Sequence, residues 1–171
     1  ISVRNELRKQ GKEELFTLLQ GEVYGRKILD VKPSFDLLEQ LRTLIELGHK
    51  VVIVSHKTKK PFLGPNYDLH KAAIEWLDKN GFFDQNFLNL SIDDVYLELR
   101  LEEKIERIDT ISCDVFIDDL PEVLNKLPEK VTGVHYNTME KSIQTDFLSF
   151  SEWKNLLNII DTITREKKEE F

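Results

Sequence analysis

The run VVIV at residues 51–54 constrains this chain more than any other stretch. Four consecutive β-branched residues without polar alternation suit a strand covered on both faces, as in a parallel sheet with helices above and below. Amphipathic helices flank it. Pro33 followed by FDLLEQLRTLIELG puts Phe35, Leu38, Leu41 and Ile45 on one face and stops at Gly48. DLHKAAIEWLDKNGFF is a second such helix, capped by Asp68 and ended by Gly81. The alternation continues with a strand at Val95–Leu99 and a helix, EEKIERIDTIS, striped by Ile105, Ile108 and Ile111. A strand DVFIDD, a short helix LPEVLNKL and a strand VTGVHYN follow. The last helix is expected from about Ser149 to Arg165, burying Trp153, Leu156, Leu157, Ile160 and Ile163. Strands alternating with helices predict a doubly wound α/β domain with a mostly parallel sheet.

Residues 1–30 break the rhythm. The pattern from Asn5 to about Val23 is helical, Gly11 suggests two helices, and no strand is present. This segment reads as a small helical cap or insert, ahead of an α/β core over residues 31–171. The chain begins at Ile1 and its only methionine is Met139, so a segment preceding Ile1 is expected.

Charge and cysteine content narrow the function classes. The net charge of -7 carries no domain-wide basic excess, which argues against general nucleic-acid coating. The cluster Lys57, Lys59 and Lys60 is therefore a local feature of an acidic protein. Cys113 is the sole cysteine, so no internal disulfide is possible, which suits a reducing, cytoplasmic setting. No apolar run reaches membrane-spanning length and no signal peptide is evident, so no membrane partner is expected. His56 has no second histidine at metal-ligand spacing, which argues against zinc. The absence of G-x-x-x-x-G-K-[ST] excludes a P-loop kinase.

Ligands of open α/β sheets bind at the carboxyl ends of the strands. Three polar positions arrive there or at the start of the next helix: Ser55 after VVIV, Lys104 after VYLEL, and Asp118 with Asp119 after DVFI. A phosphate wants hydrogen-bond donors and positive charge, which Ser55 and Lys104 supply. Two adjacent ionised carboxylates favour a bound cation, and Mg²⁺ prefers oxygen ligands. A strand-end nucleophile is missing from the chain. The order hydroxyl, lysine, acids also rejects a response-regulator receiver domain, in which the acids come first.

Ser55 in VIVS, Lys104 in EEKIERI and Asp118–Asp119 in FIDDLPEVL resemble motifs II, III and IV of the haloacid dehalogenase (HAD) superfamily. The resemblance covers about Pro33 to Leu157, and the wording is similar to a group of small bacterial HAD-like hydrolases. It implies a Rossmann-like sheet sandwiched by helices, with residues 1–30 as the cap. It also implies that motif I, the D-x-D of the first strand, lies upstream of Ile1. On this resemblance Ser55 binds the transferring phosphoryl group, Lys104 stabilises the aspartyl-phosphate, and the acids hold Mg²⁺. Asp119 is then the direct ligand and Asp118 the supporting one, with Ser55, His56 and Lys57 on the substrate side. The implied activity is a Mg²⁺-dependent phosphatase acting on a small phosphorylated substrate, and the lysine loop suits extra negative charge on it. The alternative is a HAD-like module that binds a phosphate-bearing ligand or a partner without turnover.

Overall fold

The computed structural model describes residues 3–137 and 146–169. The N-terminal segment is helical, with α1 (Val3–Lys9) and α2 (Glu13–Glu22) separated around Gly11. A π-helical turn at Val23–Lys27 and a 3-10 turn at Ile28–Asp30 extend α2. The core then runs α3 (Phe35–Glu46), β1 (Ile53–His56), α4 (Leu69–Lys79), β2 (Val95–Glu98), α5 (Leu101–Thr110) and β3 (Val115–Asp118). It closes with α6 (Pro121–Leu124), β4 (Thr132–Tyr136), β5 (Leu148–Phe150) and α7 (Leu156–Glu169).

Every strand pairing among the described residues is parallel, in two sheets. One is β1–β2, with Ser55 opposite Leu97; the other is β3–β4–β5, with Asp118 opposite His135. Neighbouring side chains in register share a face, so alternation sorts the strands between two helical layers. Ile53, Val95, Val115, Ile117 and Val134 meet the layer that contains α3, through residues such as Leu41 and Leu44. Val54, Tyr96 and Phe116 meet α5 and α6, through Ile108, Val123 and Leu124. Both layers cross from one sheet to the other: Leu41 packs into the clusters of both sheets, and Val54 and Phe116 share one cluster. The inner edges of β1 and β3 are nevertheless without a ladder partner among the described residues.

Several boundaries differ from expectation: β3 ends at Asp118 rather than Asp119, and the helix expected over LPEVLNKL stops at Leu124. The first strand is shifted two residues toward the C-terminus, so Ser55 lies within β1 instead of just beyond it. The expected start of the last helix at Ser149 is corrected, because Leu148–Phe150 is a third strand of the second sheet and α7 begins at Leu156. Three residues give too short a pattern to separate from a helix start, and pairing with β4 decides them. Gly48 and Gly81 terminate α3 and α4 as expected, both with φ above +80°, where a side chain is strained. No helix among the described residues is long and apolar enough to cross a membrane.

Candidate active site

Three of the predicted polar positions become a physical arrangement at the carboxyl edge of the strands. Lys104 is the fourth residue of α5, and the helix face Leu101–Lys104–Ile105–Ile108 is the one turned to the sheet. That placement buries the lysine to 5% exposure. A solvated role is thereby excluded for it. Its Nζ donates to Asp118 Oδ2 at 2.6 Å and lies 5.1 Å from the Phe116 ring centre. The other oxygen of Asp118 accepts the Leu120 N–H at 3.0 Å, so both carboxylate oxygens are occupied. Glu103 carries the first-turn duty that Lys104 cannot, accepting the N–H groups of Leu99 and Arg100 at 3.1 Å each.

Asp119 is exposed, the next residue after a nearly buried acid. With Ile117, Asp118, Tyr136 and Trp153 it lines a cleft of about 270 Å³ at the ends of β3 and β4. Tyr136 and Trp153 stack with centroids 4.3 Å apart, and Phe150 closes the cluster edge-on to Trp153 at 5.3 Å. His135, beside Asp118 in register, is buried with its Nδ1 lacking a hydrogen-bond partner among the described residues. Among the described residues no group of three or more His, Cys, Asp or Glu converges on a metal-sized site. A hard cation here would therefore draw on Asp119, with Asp118 held in place by Lys104, and would need a further oxygen ligand.

Ser55 stands half-buried on β1, in the other sheet, and makes no side-chain hydrogen bond to Lys104 or Asp118. His56 is exposed on the opposite strand face and makes no hydrogen bond or ion pair to any of them. Glu98, at the end of β2, is taken by Arg107 at 2.8 Å.

The basic loop after β1 divides into unlike residues. Lys59 and Lys60 are exposed, whereas Lys57 is half-buried. The Lys57 N–H donates to the Glu98 carbonyl at 2.7 Å, which carries the β1–β2 ladder one residue past the strand. Its carbonyl accepts from His70 Nε2 at 2.7 Å, so the loop is clamped to α4. Lys57 Nζ sits 4.1 Å from the ring centre of Tyr24, in the π-helical turn, and burial lowers its pKa.

The N-terminal segment is docked on this loop and on α4. Tyr67 Oη donates to Glu22 at 2.9 Å, Trp76 Nε1 to the Val31 carbonyl at 2.8 Å, and Lys79 Nζ to the Leu29 carbonyl at 2.8 Å. Gly25 makes the docking close: a Cβ there would lie 2.5 Å from the Tyr67 ring.

Sequence reasoning placed Ser55, Lys104, Asp118 and Asp119 at strand ends or at the start of the following helix, with His56 and Lys57 on the substrate side in the basic loop. It assigned Trp153 to the packed face of the last helix and His70 to packing or surface, and it did not single out Tyr24 or Tyr136. One signal was legible for Lys104, because a lysine at the apolar spacing of a helix face points inward. Comparison with protein-family models, curated proteins and solved structures finds no match.

Proposed function

We propose that the protein is a Mg²⁺-dependent phosphomonoester hydrolase of the HAD type. The observation that carries the proposal is the buried Lys104–Asp118 ion pair at the carboxyl edge, directly beside an exposed acid, Asp119. Buried lysines are costly unless paired, and at a sheet edge with a free carboxylate alongside they suit the handling of an anion and a cation together. The nucleophile belongs to an aspartate on a further strand, seated between β1 and β3. Both inner edges lack ladder partners among the described residues, and helices of both layers already span the two sheets. A parallel strand there would satisfy both edges.

In this reading the strand aspartate attacks phosphorus, the P–O bond to the alcohol breaks, and the leaving oxygen takes a proton from a second acid of the same strand. Water then attacks the phosphoenzyme, releasing phosphate and restoring the carboxylate. Ser55 donates its hydroxyl to a phosphoryl oxygen, and Lys104 offsets the charge that develops while holding Asp118 in position. Asp119 and an acid of the inserted strand would hold Mg²⁺, which supplies Lewis-acid charge to the phosphoryl oxygens.

The test uses the full-length protein, including any coding sequence that precedes Ile1. It is expected to release phosphate from p-nitrophenyl phosphate only with Mg²⁺. Ser55→Ala is expected to lower kcat by about a hundredfold to a thousandfold, the usual cost of one transition-state donor. No release across a broad phosphate-ester panel sinks the hydrolase reading and leaves the binding module.

A further inference from the structure

Among the lysines of the loop after β1, Lys57 is set apart by its surroundings. Backbone bonds on both sides fix its position, to the Glu98 carbonyl and from His70, each at 2.7 Å. The continued ladder and strand alternation place its side chain on the same face as Ser55, two residues away. The nearby acids are engaged elsewhere. Glu22 pairs with Arg26 at 3.1 Å and with Tyr67, Glu98 pairs with Arg107, and Asp68 accepts the Lys71 N–H at 2.9 Å. Among the described residues Lys57 has no carboxylate partner, and its amine faces the ring of Tyr24.

An aromatic face orients an ammonium without neutralising it. A half-buried amine without a counter-charge is unfavourable in the free protein, and its lowered pKa reflects that desolvation. An incoming anion relieves the penalty. The Tyr24 ring thus orients the amine of Lys57, whose side chain leaves the chain on the Ser55 face.

We infer that Lys57, aimed by Tyr24, binds a second anionic group of the substrate, so that the preferred ligands are small phosphomonoesters that also carry a carboxylate or a further phosphate. This rests on the reading of Ser55 as the phosphoryl site. Two residues of strand separate the Ser55 and Lys57 Cα atoms by about 6.6 Å, so compact phosphoesters with a second anion a few atoms away are the first class to compare.

The experiment compares 3-phosphoglycerate with glycerol 3-phosphate, which differ by a carboxylate in place of a hydroxymethyl group. Binding to the full-length protein is measured by calorimetry, and phosphate release with Mg²⁺ is followed in parallel. The acid is expected to bind about tenfold tighter, as one charge-assisted contact allows. Lys57→Met and Tyr24→Leu are expected to erase that ratio, whereas Tyr24→Phe retains it because the ring remains. Circular dichroism confirms that each variant is folded. Equal affinity for the two esters, binding of neither, or a preference that survives Lys57→Met overturns the inference. A preference for the acid, with no phosphate release from these two esters or from the broad ester panel, supports the Lys57 site and sinks the hydrolase reading. Release without preference does the reverse.

Discussion

Replacing Lys104 with Met tests the buried ion pair at the centre of the site. Met matches the lysine stem closely in length, so the change removes the charge and leaves little cavity. The side chains of Lys104 and Asp118 are 7% and 9% exposed, and the 2.6 Å contact is Asp118's only one to a cation among the described residues. After the change the carboxylate keeps only the Leu120 N–H, at 3.0 Å. Stranding one member of a buried pair costs about 3–5 kcal/mol. For a chain of this size that corresponds to a fall in Tm of about 6–20 °C. The double variant K104M/D118N removes both charges while Asn retains an acceptor for Leu120, and it is expected within about 1 kcal/mol of the parent. Urea unfolding at neutral pH, run as a double-mutant cycle, reads both values. A K104M protein as stable as the parent, or a double variant as unstable as K104M alone, would show that the pair is not the buried contact described above.

Two further substitutions probe the N-terminal helical segment and α4. Gly25→Ala places a methyl 2.5 Å from the Tyr67 ring, so the ring must swing and the Tyr67–Glu22 bond is expected to break. The cost is about 1–3 kcal/mol, the range for overpacking, and limited proteolysis should cut faster within residues 10–35 than in the parent. At Asp68, the bond from the Lys71 N–H holds the carboxyl below its ordinary pKa. Its stabilising contribution is therefore complete above the unfolded pKa and lost as pH falls through the folded one. Asp68→Ala should lower Tm at neutral pH, and the gap from the parent should close below about pH 4. A gap that is constant from pH 7 to pH 3 would count against the cap.

Much of the architecture was legible because it rests on local periodicity. β-Branched runs, the apolar spacing of α3 and α4, and terminating glycines act within a few residues, so the alternation of strands and helices follows from the order of the chain. The same reasoning brought Ser55 and Asp118–Asp119 to strand ends, since strand length and polarity are local. It failed at Leu148–Phe150, a strand made by pairing with β4. The resemblance named Lys57 for the substrate side, but no local pattern foretold that it is half-buried while Lys59 and Lys60, in the same loop, are exposed.

What the sequence by itself determined is therefore the α/β rhythm and the residue types delivered to the carboxyl edge. Only the tertiary structure decided that Lys104 is locked to Asp118 while Asp119 faces the cleft. It alone set the Tyr24 ring against Lys57 and left β1 and β3 in separate parallel sheets. The reason is physical. Burial, ion pairing and ladder partners are relations between segments far apart in the chain, and no local pattern encodes which of several equivalent side chains meets them.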